Sequence, residues 1–168
     1  MYGDFLWLRR SGGNLNRREM LPTYALSGVA GLDLAVDWLR ARVGPQSGSA
    51  RFTGTRRSSP WIAVAERLAG EQSEILIAHA YRTFAFGAAF AESDRADVDL
   101  DVLFVACLLH DLGLADPRPD RCFTYKGAEA ALTAAAATGD ELKGIRAADA
   151  IAQHILRCLC ASIRPRSG

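Results

Sequence analysis

The hydrophobic and polar positions over residues 59–156 repeat with the period of α-helices. Five segments carry apolar residues every three or four positions, and runs of β-branched residues are short. Polar stretches, several of them containing Gly or Pro, separate these segments. The predicted helices cover residues 61–69, 75–90, 100–109, 126–138 and 140–156. The pattern therefore predicts an all-α fold.

The clearest boundary signals lie at the first and third of these helices. Ser59-Pro60 is a typical helix start, because proline fits the first helical position. Gly113 is placed to end the third helix, which is the most apolar and is predicted to be the most buried. The acidic residues 92–99 and the Pro- and Asp-rich residues 116–122 are predicted loops.

Residues 1–57 differ in composition from the rest of the chain. They carry nine arginines against four acidic residues, and residues 44–59 are rich in Gly, Ser, Arg and Pro, as in a linker. We therefore expect a poorly structured N-terminal extension over residues 1–57 and a helical domain over residues 58–168.

The stretch NRREML, which contains Arg17 and Arg18, is similar to a twin-arginine export signal. Asp33 and Asp37 interrupt the moderately apolar region that follows, and no clean cleavage site comes after it. The alternative interpretation is an ordinary surface helix over residues 32–42. A cytoplasmic location is the default expectation, and export is expected if the two arginines belong to a signal.

The composition excludes several classes of partner. Lysine and arginine total 20 against 19 acidic residues, and the arginine excess falls in residues 1–57, so we expect no nucleic-acid-binding face. No stretch of 18 uncharged apolar residues exists, and we predict no membrane span. The four cysteines fit neither a CxxC pair nor a disulfide framework, so reduced thiols are expected.

The pair His110-Asp111 is the most informative feature of the chain. It follows the apolar run VLFVACLL at the end of a predicted helix. An imidazole and a carboxylate are costly to bury unless they are paired or ligated, so one interpretation is half of a divalent-metal site. The alternative is a helix C-terminus where the histidine interacts with the dipole and the aspartate caps the next turn. The residues alone leave both open.

The chain has only three histidines, and each lies in or beside an apolar helical segment. His79 could supply a third ligand, and Arg82, three residues later, shares its helix face and would suit an anionic or polar substrate. His154, on the last predicted helix, is a candidate fourth ligand or a hydrogen-bond partner of a metal-bound water. Taken alone, a histidine such as His154 is more often structural than a ligand.

Four stretches occur in order along the predicted helical domain. They are HAYRTF from His79, VACLLHDLGL from Val105, Phe123 followed by GAEAA from Gly127, and AIAQH ending at His154. Together they resemble the HD-domain metal-dependent hydrolase superfamily, and within it most closely the cyanamide-hydratase-like HD proteins. The resemblance covers residues 59 to about 154.

The resemblance implies an all-α HD-type helical bundle that holds one divalent metal ion. It implies that His79, His110 and Asp111 are ligands and that His154 lies at the active site. Two imidazoles with a carboxylate suit zinc, and iron or manganese would also fit. An ion in such a site lowers the pKa of its bound water toward neutrality.

The end of the chain departs from the superfamily pattern, which includes a further Asp ligand well beyond the position of His154. The last fourteen residues contain neither Asp nor Glu, and Asp149 points to a different face of its helix. We therefore expect an altered or truncated C-terminus and a weaker, more open metal site.

Three functional hypotheses follow. The first is metal-dependent hydration or hydrolysis of a small nitrile- or cyanamide-like molecule, with His154 and Arg82 as candidate catalytic residues. The second is phosphohydrolysis, for which Arg118, Arg121 and Lys126 are, with Arg82, the basic residues near the site in sequence. The third is an inactive HD domain that serves as a binding module or has no activity. The expected partner is a small-molecule substrate, and the oligomeric state stays open.

Overall fold

The computed structural model describes residues 4–13, 16–19, 21, 58–70, 72–117 and 121–160, with side chains as far as residue 154. These residues form helices and no strand, which confirms the predicted all-α fold. The helices are α1 Phe5–Ser11, α2 Pro60–Ala69, α3 Glu74–Ser93, α4 Leu100–Leu109, α5 Thr124–Ala136 and α6 Glu141–Cys160. A single turn of 3-10 helix, Leu112–Ala115, follows α4.

The first helix of the main domain begins where the sequence predicts it. The Ser59 hydroxyl accepts a hydrogen bond from the Ile62 N–H at 3.2 Å, and Pro60 occupies the first helical position. Helix α3 is longer than predicted, because it continues to Ser93, inside the stretch expected to be a loop. Alanine and glutamate are good helix formers, so Ala91-Glu92 extends the helix by about a turn.

Helix α4 lies at the centre of the domain, and α2, α3, α5 and α6 all pack against it. Burial on several sides explains why its residues are apolar nearly all round. Val105 and Leu109 are completely enclosed, as is Trp61 of α2. At the start of α4 the buried Asp101 carboxylate pairs with Lys143 of α6 at 3.3 Å. The third predicted helix is therefore the central one.

Helices α5 and α6 approach closely because small residues line their contact. Gly144 of α6 has no space for a Cβ, since the Ala135 methyl group of α5 occupies it. Gly127 of α5 lies against the carbonyl oxygen of Leu109, where a Cβ would collide. These glycines bring the alanine-rich helix against the end of α4 that carries His110.

The structure adds helix α1, which the sequence pattern did not indicate. Trp7 and Leu8 are buried in the core, and the Phe5 N–H donates to the Asp149 carboxylate of α6 at 3.0 Å. A helix of seven residues is too short for its apolar period to be recognised. The packed core therefore includes residues that precede the expected start of the domain near Ser59.

Several expectations for the N-terminal part fall outside the described residues. These include the helix considered over residues 32–42 and nearly all of the linker over residues 44–59. Arg17 and Arg18 are described and exposed, and export stays a prediction. Within the described part of the chain, no helix combines the length and the hydropathy needed to cross a membrane.

We predict that Gly127→Ala destabilises the protein by about 1–3 kcal/mol, because the added methyl group must displace the end of α4. Gly87→Ala in α3 is the matched control. Its Cβ would meet Leu103 at 3.4 Å, an ordinary contact, and alanine favours helix by about 0.5–1 kcal/mol. Urea denaturation of both variants measures the difference, and equal stabilities would contradict the close approach.

Candidate metal centre

The end of α4 places His110 and Asp111 side by side. His110 is the last residue with helical geometry, and Asp111 leaves the helix at φ −102° and ψ 8°. This departure turns the carboxylate back toward the imidazole, with His110 Nε2 and Asp111 Oδ2 3.1 Å apart. Both side chains can therefore reach one ion from the helix end, as the metal-site interpretation requires.

Helix α3 brings His79 to the same point. Its Nε2 lies 3.6 Å from Asp111 Oδ2, and its ring centroid is 5.3 Å from that of His110. One ligand atom from each of the three residues lies within 4.8 Å of the others. Neighbouring ligands of a tetrahedral zinc ion are about 3.3–3.6 Å apart, given bonds of about 2.0–2.2 Å. The 3.6 Å between His79 Nε2 and Asp111 Oδ2 falls in this range. We call His79, His110 and Asp111 the metal triad.

A backbone hydrogen bond fixes the orientation of His110. Its Nδ1 lies 2.7 Å from the Cys107 carbonyl oxygen, which can only accept, so Nδ1 is the donor. The Nε2 of the neutral ring then directs its lone pair at the Asp111 carboxylate. Two acceptors 3.1 Å apart need a cation between them, either a proton or a metal ion. The donor set of two imidazoles and one carboxylate fits a divalent ion such as zinc or iron.

The electrostatics of the triad favour the charged forms of both His110 and Asp111. Burial acts to lower the pKa of His110, but its bonds to Asp111 and to the Cys107 carbonyl raise it overall. Burial acts to raise the pKa of Asp111, yet the hydrogen bond with His110 and the nearby His79 and His154 lower it overall. The carboxylate is therefore held ionised, the form that binds a metal.

His154 lies beside the metal triad rather than in it. Its ring meets that of His110 edge-on, with centroids 5.2 Å apart, and Phe123 covers another side at 5.7 Å. Its Nδ1 donates to the Ile151 carbonyl at 2.8 Å, which leaves the Nε2 lone pair as the acceptor. Burial lowers the pKa of His154, so the ring is held neutral.

Arg82 and Asp149 occupy different surroundings. Arg82 is exposed on α3, one helical turn beyond His79, where the sequence places it on the same face. The Asp149 carboxylate accepts the Phe5 N–H of α1, so this carboxylate is engaged away from the triad. Among the described residues, the metal-binding group has three members.

Two residues that support the site were missed by the sequence analysis. Gln72 is buried and donates from its amide nitrogen to the Leu108 carbonyl at 3.0 Å, one residue from the carbonyl that holds His110. The Thr83 hydroxyl lies 3.4 Å from His79 Nε2 and donates to the His79 carbonyl at 3.0 Å. The spacing of four residues between His79 and Thr83 could have indicated their contact. The contact of Gln72 with Leu108 joins residues 36 positions apart, and no local pattern in the sequence indicates it.

The fold and the triad define an all-α domain with a histidine and aspartate metal centre. The chain belongs to the HD domain family, whose family model matches residues 76–163, just over half of the 168 residues. The match includes the metal triad, His154 and Arg82. No curated protein and no solved structure matches the chain.

We predict that His110→Ala abolishes stable metal binding, since it removes one of three ligands. Loss of an outer partner of a ligand typically costs about 10–100-fold in affinity, and loss of a ligand costs more. Zinc titration against a chromophoric chelator measures the affinity, and circular dichroism reports whether the fold survives. Glu92→Ala, which removes an exposed carboxylate at the far end of α3, is the control. Unchanged metal content in His110→Ala would refute the triad.

Proposed function

We propose that the protein is a metal-dependent hydrolase or hydratase that acts on a small polar molecule. The observation that supports this most directly is the convergence of two imidazole nitrogens and a carboxylate oxygen within 4.8 Å. Three protein ligands leave a coordination position for water or substrate, as in catalytic zinc sites, whereas structural sites close with a fourth ligand.

Zinc is the ion we propose for the metal triad, with iron or manganese as alternatives. The combination of nitrogen and oxygen ligands suits zinc, and two histidines with one carboxylate also hold non-haem iron. When bound, such an ion supplies a water activated for attack at neutral pH and a Lewis acid for the substrate.

His154 is the residue we propose as the proton acceptor. The hydrogen bond from its Nδ1 to the Ile151 carbonyl leaves Nε2 with a lone pair, so the ring can take a proton without changing tautomer. The edge-on contact with His110 keeps the ring next to the triad. Phe123 packs on the same ring and limits its rotation.

A nitrile- or cyanamide-like compound is the substrate class we propose. The support is the likeness of HAYRTF at His79 and AIAQH at His154 to cyanamide-hydratase-like HD proteins. Addition of one water across the carbon–nitrogen triple bond turns a nitrile into an amide and cyanamide into urea. Arg82, exposed beside His79, is proposed to orient the polar group of the substrate. The cytoplasm is the location we propose, unless the arginine pair directs export.

The experiment is a substrate panel on the full chain loaded with zinc, iron(II) or manganese. Amide and urea formation are followed by NMR, and phosphate release from phosphate monoesters is measured beside them. We expect turnover of a nitrile or of cyanamide, and a loss of about 100-fold in His154→Gln, as for removal of a general base. Phosphate release alone would favour phosphohydrolysis. Retained metal with no turnover on any substrate would favour an inactive binding domain.

Arg82→Ala separates substrate binding from metal binding. We expect it to lower kcat/KM by at least about tenfold through loss of a charge-assisted contact, while the metal content stays that of the parent protein. Arg67→Ala, which changes another exposed arginine, on α2, is the control and should alter neither quantity. Parallel loss of metal and turnover in Arg82→Ala would show that Arg82 is structural instead.

A further inference from the structure

A buried side-chain amide, that of Gln72, lies between helices α2 and α3. The exposed fraction of the residue is 8%. Its Nε2 donates to the Leu108 carbonyl at 3.0 Å, and the orientation of the amide is fixed because a carbonyl oxygen can only accept. The Gln72 N–H donates to the Ala69 carbonyl at 2.9 Å, which ties its backbone to the end of α2. Gln72 therefore joins the entry of α3 to the last turn of α4.

Folding stability alone does not account for this amide. Among the described residues, Gln72 Oε1 is buried and has no hydrogen-bond partner. A buried acceptor without a partner typically costs at least as much free energy as one hydrogen bond between neutral groups contributes. The single bond to Leu108 therefore does not offset the burial of the whole amide. What the bond does supply is a fixed geometry.

The bond of Gln72 lies at the end of α3 that carries His79. Of residues 73–79, all of which the structure describes, none is fully buried. The next buried residue along the chain is Ala80. Without Gln72, partly buried side chains such as Ile77 would hold the start of α3 in place. The position of the turn that precedes His79 therefore depends on the Gln72 bond.

Beyond His79, aromatic rings hold α3 against α4. The Phe104 ring of α4 meets Tyr81 and Phe84 edge-on, with centroids 5.8 and 5.1 Å apart. Apolar packing of this kind favours contact over a range of positions, whereas a hydrogen bond weakens steeply when its geometry changes. His79 thus lies between an apolar contact and a directional one, and the directional one is made by Gln72.

The two sides of the metal triad are held by adjacent peptide units of α4. The Cys107 carbonyl accepts His110 Nδ1 at 2.7 Å, and the next carbonyl, that of Leu108, accepts the Gln72 amide. Metal ligands have to be placed within about 0.5 Å of their productive positions. Bonds to neighbouring carbonyls give His110 and the start of α3 a common reference point.

We propose that Gln72 is a positioning residue, which sets the separation of His79 from His110 and Asp111. It does so by holding the start of α3 against the end of α4. This role rests on the proposed function, because the separation matters for a metal ion that the triad shares. It deepens that function by assigning the spacing of the ligands to a residue outside the metal triad.

The spacing can be measured by NMR on the full chain without any metal ion. The chain has three histidines, so their ring signals form a small set. The nuclear Overhauser effect (NOE) between the His79 and His110 rings, whose centroids are 5.3 Å apart, reports the position of α3 against α4. The NOE between His110 and His154, at 5.2 Å, does not involve α3 and is the internal reference.

We expect Gln72→Met to lower the ratio of the first NOE to the second. Methionine has nearly the length of glutamine but lacks the amide that binds Leu108. An NOE falls with the inverse sixth power of distance, so a loosening by about 1 Å, typical of a site that loses its support, lowers the ratio by about threefold.

Zinc affinity and stability separate a positional role from a merely structural one. We expect Gln72→Met to weaken zinc binding by about 10–100-fold, as for the loss of other partners of ligands. The urea midpoint should stay close to that of the parent, because the variant loses one hydrogen bond and one unpaired acceptor together. Competition with a chromophoric chelator and urea denaturation measure the two quantities.

Thr138→Val is the matched control. The Thr138 hydroxyl donates to the Ala134 carbonyl at 3.2 Å, near the opposite end of α5 from Gly127. The variant therefore removes a bond from a side chain to a helix-end carbonyl, as Gln72→Met does, but at a helix that carries no member of the metal triad. Its NOE ratio and its zinc affinity should equal those of the parent.

The outcomes for Gln72 and for the metal centre can be told apart. An unchanged NOE ratio in folded Gln72→Met overturns the proposal, and so does a Gln72→Met protein that no longer folds, since Gln72 would then serve the fold itself. Equal loss of zinc affinity in Gln72→Met and Thr138→Val overturns it as well. A parent protein that binds no zinc contradicts the proposed function instead, while a lowered NOE ratio still supports the positional role of Gln72.

Discussion

The hydrogen bond from His110 to the Cys107 carbonyl is the contact on which the metal centre depends. A helix ends with four carbonyls that lack partners inside it, and here two of them are taken by side chains. His110 binds the Cys107 carbonyl and Gln72 binds the next one, at Leu108. The same contact that satisfies the helix end also turns His110 Nε2 toward Asp111. A local requirement of the backbone thus produces the geometry of a ligand pair.

The close approach of neighbouring backbones around this helix end brings the other elements of the site into position. Gly127 lets α5 touch the Leu109 carbonyl, and Gly113 lets the 3-10 helix lie against the Phe123 backbone. Phe123 in turn packs on His154 of α6. The site is therefore assembled from four helices, with Gly127 and Gly113 at two points where a side chain would hold the backbones apart. Such constraints keep side chains rigid, which ligand geometry demands.

The features that could be predicted from the sequence are those determined by residues close together in the chain. Helices show their period in consecutive residues, and His110-Asp111 stands out because two polar groups end an apolar run. His79 and His154 were found through the order of short stretches, and the structure brings His79 into the triad and His154 beside it. Gln72 and α1 escaped detection because their contacts join positions far apart in the chain, which no local pattern encodes.

The packing of α1 against α5 and α6 also determines when α1 can join the folded domain. The Phe5 N–H and its acceptor Asp149 are separated by 144 positions, and α1 packs on α5 and α6. During synthesis from the N-terminus, Trp7 and Leu8 emerge before the surfaces of α5 and α6 against which α1 packs. Trp7 and Leu8 therefore lack the α6 surface against which α1 packs until α6 has been synthesised. Helix α1 can therefore dock only after α6 has been synthesised.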